Sequence, residues 1–227
     1  YASPDRKPAK YSTDNTPLRT PRHAKVTLRG QDEGGYCMTM GFPGSTDRYL
    51  SSYGIGHTMT TVNAARAEVR GVALKEWRRH MAADRKVGIK YSTKAASLSN
   101  YWKNAIGMNK ALTTLGVIKE KQDLEARINQ WIAADGHRTA RYGGVTDRLR
   151  RTYEAAYEDA RAHRMLSEFR MDCQSIVRSA KEYATQDEEK RAKTLENIAR
   201  QLKDYDLATD CDATAAQLAY LRRNLDP

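Results

Sequence analysis

The spacing of apolar residues changes once along this chain, near residue 58, and the change divides it. Upstream the spacing is two. Residues 23–29 put Ala24, Val26 and Leu28 on one face, and residues 36–42 put Tyr36, Met38, Met40 and Phe42 on one face. Such alternation predicts half-buried β-strands, because successive side chains of a strand point to opposite sides. Gly30, Gly34 and Gly35 between the two runs supply the turn chemistry of a hairpin. A third strand is expected over 48–53. Residues 1–22 contain Pro4, Pro8, Pro17 and Pro21 and little that is apolar, which predicts an extended connection. So few strands do not make a stable sheet alone, and their edges stay open. Either the helices or sequence outside the chain must cover them.

Downstream the spacing is three and four, which predicts helices. Val62, Ala65, Val69 and Val72 begin the pattern, and Trp77 and Met81 continue it. Leu98, Tyr101, Ala105, Met108, Leu112 and Leu115 follow, then Leu124, Ile128 and Trp131 after a break at Gly116. Asp135-Gly136 is expected to close that helix, and Tyr142-Gly143-Gly144 to form a turn. Leu166, Phe169, Cys173, Ile176, Ala180 and Tyr183 read as one continuous stripe. Residues 185–188 fit a capping box, Leu195 to Tyr205 form the next stripe, and 206–212 reads as a break before a last helix with Leu218, Leu221 and Leu225. The stripes are narrow, so the helices should pack antiparallel at shallow angles, with the stripes as core.

Charge adds one alternative. Thirty-nine Lys and Arg against 28 Asp and Glu leave a net charge of +11. A basic helical protein can bind nucleic acid, and steeply salt-dependent binding would be its mark. The basic residues here are interleaved with acidic ones over the whole helical region, without a cluster that tracks phosphates. No apolar run approaches the roughly 20 residues a membrane span needs. The chain starts at Tyr1-Ala2-Ser3-Pro4 without Met and stops against a helical pattern, which reads as a piece of a longer protein. The three cysteines, Cys37, Cys173 and Cys211, are widely spaced; zinc is not expected, and Cys173 reads as a small buried hydrophobe. No metal or cofactor is expected.

A complete catalytic constellation is missing. His23, His57, His80, His137 and His163 lie in no recognisable catalytic context, and there is no Gly-x-Ser-x-Gly, His-Glu-x-x-His or phosphate loop. Two segments nevertheless break local rules. Residues 40–50, with Gly41, Pro43 and Gly44, force a tight backbone path that a plain bundle does not need. Residues 97–110 carry Asn100, Asn104, Asn109 and Gly107 inside a helix, although these residues favour it least. Asn100, Lys103, Asn104 and Gly107 share a face opposite the apolar stripe. Rule-breaking without local gain tends to mark function.

These segments carry a resemblance. Pro8-Ala9-Lys10-Tyr11-Ser12-Thr13-Asp14-Asn15-Thr16-Pro17 and Met40-Gly41-Phe42-Pro43-Gly44-Ser45-Thr46-Asp47-Arg48-Tyr49-Leu50 resemble the bacterial dipeptidyl-peptidase 7 and 11 family of serine exopeptidases. Ile89-Lys90-Tyr91, Ser99-Asn100-Tyr101-Trp102-Lys103-Asn104 and Ile106-Gly107-Met108-Asn109-Lys110 are similar to the same family in the same order. Lys203-Asp204-Tyr205-Asp206 with Thr209-Asp210 is a weaker match, and 115–200 matches only as generic helix. The resemblance implies a trypsin-like double β-barrel with an inserted helical domain that caps the cleft. Residues 1–57 would then be the connection and strands from the end of the first barrel, and residues 58–227 most of the helical cap. The fold class expected is mainly α, an antiparallel bundle preceded by a short β-segment. The catalytic His, Asp and Ser would lie outside this chain, and Asn100 would help to hold the free amino terminus of a peptide substrate. A periplasmic setting, the rest of the peptidase chain as partner and a homodimer are further implications. A helical interaction scaffold with no ligand site is the third alternative.

Overall fold

A computed structural model describes residues 3–5, 7, 9–10, 12–17, 20–26, 28–38, 40–41, 44 and 46–225. The chain divides into two compact units, Tyr1–Thr46 and Asp47–Pro227.

In the first unit the described residues form turns, bends and irregular segments, with an isolated bridge at Thr16 and no strand. A turn, but no hairpin, stands between the two runs: Gly35 N–H donates to Asp32 O at 3.0 Å, and Gly34 adopts a φ of 78° that only glycine takes freely. The two alternating runs do not become strands here. Val26 and Leu28 are 91% and 100% exposed, and Tyr36, Met38 and Met40 are exposed too. The physical reason is that an alternating segment becomes a strand only when another strand takes its backbone groups and something covers its apolar face. Thr27, Thr39, Phe42, Pro43 and Ser45 lie outside the described residues.

The second unit is helical. The strand expected over 48–53 is replaced by a turn at Arg48–Tyr49 and then helix α1 (Ser52–His57), started by Ser51, whose Oγ accepts from Gly54 N–H. A π-helical segment (Thr58–Asn63) leads into α2 (Ala64–Ala83). One residue, Asp84, caps α3 (Arg85–Thr114) by accepting from Lys86 N–H at 2.7 Å. Contacts between α2 and α3 run in opposite order, from Trp77–Tyr91 through Arg70–Tyr101 to Asn63–Asn109, so the two are antiparallel. Then come α4 (Val117–Ala133), α5 (Gly136–Tyr142), α6 (Val145–Ala155), α7 (Tyr157–Glu168), α8 (Gln174–Thr185), α9 (Glu188–Lys203) and α10 (Leu207–Asn224). Helix α2 is central: α3, α7 and α10 all pack on it. Ala73, Leu74, Trp77, Val87, Tyr91, Ala95, Leu98 and Ala213 form one core cluster, and Ala65, Val69, Met165 and Leu221 a second.

Several breaks fall where the residues predicted them, with different chemistry. Gly116 at φ 64° separates α3 from α4, and Gly144 at φ 72° precedes α6. Asp135-Gly136 does not close α4; Asp135 caps α5 by accepting from Arg138 N–H, and Gly136 is its first residue. The capping box over 185–188 is not made. Asp187 caps α9 through Lys190 N–H, and Thr185 ends α8. The last helix starts earlier than expected, because Asp206 accepts from Thr209 N–H. The continuous stripe from Leu166 to Tyr183 is interrupted by a loop over 169–173. Nor are all stripes core: Leu115, Leu124, Ile128, Trp131, Leu195 and Leu202 are exposed.

The π-helical segment is held from outside. Asn109 on α3 donates to Met59 O at 2.9 Å and accepts from Asn63 Nδ2 at 2.8 Å. One amide thus ties both ends of a geometry that is rare and less well bonded than α-helix. Asn109→Ala is expected to cost roughly 1–3 kcal/mol by orphaning these groups. Asn104→Ala, exposed on the same helix, should change stability by less than about 0.5 kcal/mol. Equal thermal melts for the two variants would refute the stitch.

Candidate functional site

Helix α3 explains each residue of the 99–105 segment. Ser99 Oγ accepts from Arg78 Nη2 at 3.2 Å, fixing α3 to α2. Asn100 points out, exposed, and makes no side-chain hydrogen bond. The Tyr101 ring has the Arg70 guanidinium 4.6 Å and the Arg66 guanidinium 5.8 Å from its centroid, a cation–π clamp. Trp102 packs against the core beside Gly71, where a Cβ would come within 3.0 Å of the indole nitrogen. Lys103 and Asn104 are exposed, and Ala105 is fully buried. Asn100 is therefore a free amide on a rigid support.

The arginines of the clamp are themselves held. Glu168, at the end of α7, is buried and accepts from Arg66 Nε at 3.1 Å and Arg70 Nε at 2.5 Å, with Arg164 as third partner. Burial works to raise the Glu168 pKa, but the hydrogen bond and charge of Arg70, aided by Arg164 and Arg66, outweigh it and hold it below its ordinary 4.5. One carboxylate thus faces three guanidinium groups.

The loop over 169–173 is tied at nearly every polar backbone group. Gln217, fully buried on α10, accepts from Arg170 N–H at 3.1 Å and donates to Arg170 O at 2.7 Å. Asp210 accepts from the N–H groups of Asp172 at 2.6 Å and Cys173 at 3.1 Å, and from Tyr205 Oη at 3.1 Å. Asp172 in turn accepts from Tyr91 Oη at 2.8 Å and Lys94 Nζ at 2.7 Å. Lys90 Nζ donates to Tyr205 O at 2.9 Å. The segments 89–91 and 203–210, far apart in sequence, therefore meet around this loop. Burial, with Asp210 alongside, pushes the Cys173 thiol up to about 11 and the Tyr205 hydroxyl higher still, so both are neutral at neutral pH. All three cysteines are free.

Between α2, α3, the loop and α8 lies an open groove of about 530 Å³. Ser97 and Tyr101, either side of Asn100 along α3, line it. Its charged lining is Arg70, Lys94, Arg170 and Arg178 against the single carboxylate Asp172.

No hydrolytic centre is assembled among the described residues. His80 Nε2 lies 2.9 Å from Asp212 Oδ2, but Asp212 also takes Arg79 Nη2 at 2.7 Å, and the group is an ion pair joining α2 to α10. Among the described residues no hydroxyl or thiol hydrogen-bonds a histidine, and no group of three His, Cys, Asp or Glu is placed to hold a metal ion. No helix among them is long and apolar enough to cross a membrane. Poor helix formers inside a helix marked Asn100 and Asn109, and Asp210 fell in the weaker Thr209-Asp210 match, but nothing local marked Glu168 or Gln217.

Comparison with known proteins agrees with the motifs. The family model for peptidase S46 matches residues 1–227. Dipeptidyl-peptidase 7 of Porphyromonas gingivalis is 37% identical over 227 residues, covering 99% of this chain and 32% of that protein. Dipeptidyl-peptidase 7 of Porphyromonas endodontalis is 42% identical over 153 residues, covering 67% of this chain and 19% of that protein. An Asp/Glu-specific dipeptidyl-peptidase of Capnocytophaga gingivalis is 33% identical over 169 residues, covering 74% and 24%. The crystal structure of Porphyromonas endodontalis DPP11 in complex with the dipeptide Arg-Glu superposes with a TM-score of 0.62 at 26% identity, over 99% of this chain and 33% of that one. The chain spans a third or less of the length of these relatives, 32%, 19% and 24%. The chain belongs to the peptidase S46 family, whose relatives here are dipeptidyl-peptidases.

Proposed function

We propose that this chain is the helical cap of a serine dipeptidyl-peptidase, which covers the cleft and holds the free amino terminus of the peptide through Asn100. The observation that carries the reading is the state of that side chain. Asn100 is exposed and bonded to nothing in its own fold, while Tyr101 and Trp102 beside it are clamped. An amide oxygen offered from a rigid helix suits an ammonium group, which is donor-only and strengthens any hydrogen bond it makes. An exopeptidase that releases dipeptides must count from that ammonium.

In this reading the acyl-transfer chemistry lies in barrels built mostly from the rest of the protein. The exposed alternating residues Val26, Leu28, Tyr36, Met38 and Met40 are then the strand faces such a barrel covers, and the enzyme works in the periplasm. The test is Asn100→Ala in the intact protein. Losing a charge-assisted hydrogen bond costs roughly 1.5–3 kcal/mol, so kcat/KM on dipeptidyl substrates should fall about 10- to 150-fold with unfolding temperature unchanged. Wild-type efficiency would remove Asn100 from the role.

A further inference from the structure

The groove between α2, α3, the loop and α8 is lined by cationic and apolar side chains with a single carboxylate. Arg178, on the first turns of α8, has no hydrogen-bond or ion-pair partner among the described residues, and Arg170 spends only Nη1, on the carbonyls of Ser167 and Phe169. Trp77 lines the groove at 6% exposure, and its indole N–H is buried without any acceptor. Gln174 and Ser175 of α8 also line the groove, but the N–H of Cys173, at the start of that helix, is already taken by the Asp210 carboxylate. The one carboxylate, Asp172, is already taken by Tyr91 and Lys94.

The shape narrows the ligand. Along α2 the lining runs from Arg70 to Trp77 and along α3 from Lys94 to Tyr101, seven residues each, or about 10 Å at the rise of an α-helix. That length fits about three residues of extended peptide and far exceeds one phosphate ion. Lys94 is spent on Asp172, which leaves Arg70 on α2, Arg170 on the loop and Arg178 on α8 as the cations spread along the groove. Apolar Trp77, Leu98, Tyr101 and Met171 alternate with them, which suits methylene stems carrying separate carboxylates. We propose that this groove is a binding site for an acidic peptide segment, with its carboxylates on the arginines. The loop backbone, tied by Gln217 and Asp210, makes the site preformed.

The proposal does not depend on the peptidase reading, and the test keeps them apart. The probe is N-acetylated tetraglutamate, which has no free amino terminus for Asn100, titrated against the whole protein with tryptophan fluorescence as readout. Tetraglutamate should bind at least tenfold tighter than N-acetylated tetraglutamine, more weakly as salt rises. Arg178→Glu should weaken it at least tenfold. Arg127→Glu on α4, exposed and away from the groove, makes the same change in net charge and should leave it within twofold. Equal losses in both variants would mean that only the overall basic charge binds, and would overturn the site. Equal affinity for tetraglutamine would do the same. Displacement of the peptide by inorganic phosphate or a single-stranded oligonucleotide at tenfold lower concentration would overturn the peptide assignment. Asn100→Ala should not change tetraglutamate affinity.

Discussion

Glu168→Gln is expected to lower the unfolding free energy by about 3–5 kcal/mol, the largest effect of any single change considered for this fold. The carboxylate is 3% exposed, and its Arg70 partner 9%. Removing the negative charge leaves the guanidinium groups of Arg66, Arg70 and Arg164 facing one another with little water to screen them. The clamp on Tyr101 depends on the same arginines, so its ring should lose order together with stability. Urea unfolding of wild type and variant gives the measurement, as a shifted midpoint with an unchanged slope. A loss below about 1 kcal/mol would mean that the pairs are screened like surface salt bridges. The pH dependence follows from the sign of the shift. Glu168 titrates below its ordinary 4.5 in the folded protein, so the unfolded chain binds its proton first as pH falls. Its stabilisation is therefore full above that ordinary value and is lost as pH falls through the lower folded value. The wild type should lose stability on acidification more steeply than Glu168→Gln.

Asp210→Ala should cost about 2–4 kcal/mol, because one truncation orphans the N–H groups of Asp172 and Cys173 and the hydroxyl of Tyr205. Asp210 is 4% exposed, so water does not readily replace the lost acceptor. Tyr205→Phe removes one of these bonds and should cost about 1 kcal/mol. Hydrogen exchange separates this cause from general destabilisation. The amides of Asp172 and Cys173 should lose protection in Asp210→Ala while those of the α2 core keep theirs relative to global unfolding. Retained protection at both amides would show that the loop holds itself. The same variant should also loosen the groove, since Arg170, Met171 and Asp172 line it from this loop.

Helix positions were legible because they depend on spacing that the chain carries locally. The spacing of three and four found α2, α3 and α4, and glycines at positive φ fixed the breaks at Gly116 and Gly144. Asn100 was legible for a related reason: a poor helix former inside a helix stands out against its neighbours. The stripe from Leu166 to Tyr183 misled because its spacing runs straight through 169–173. The backbone leaves the helix there since Gln217 and Asp210, 47 and 38 residues away from the groups they bind, offer it other partners.

From the sequence alone came the helical class, the separation of an alternating segment before it, the rigid face bearing Asn100 and the likeness to a dipeptidyl-peptidase. The tertiary structure decided which stripes are covered, how one buried carboxylate gathers three arginines, and that a groove with several cations opens between α2, α3 and α8. The reason is physical: periodicity reports what a helix presents, whereas burial, charge compensation and cavities depend on which helices meet.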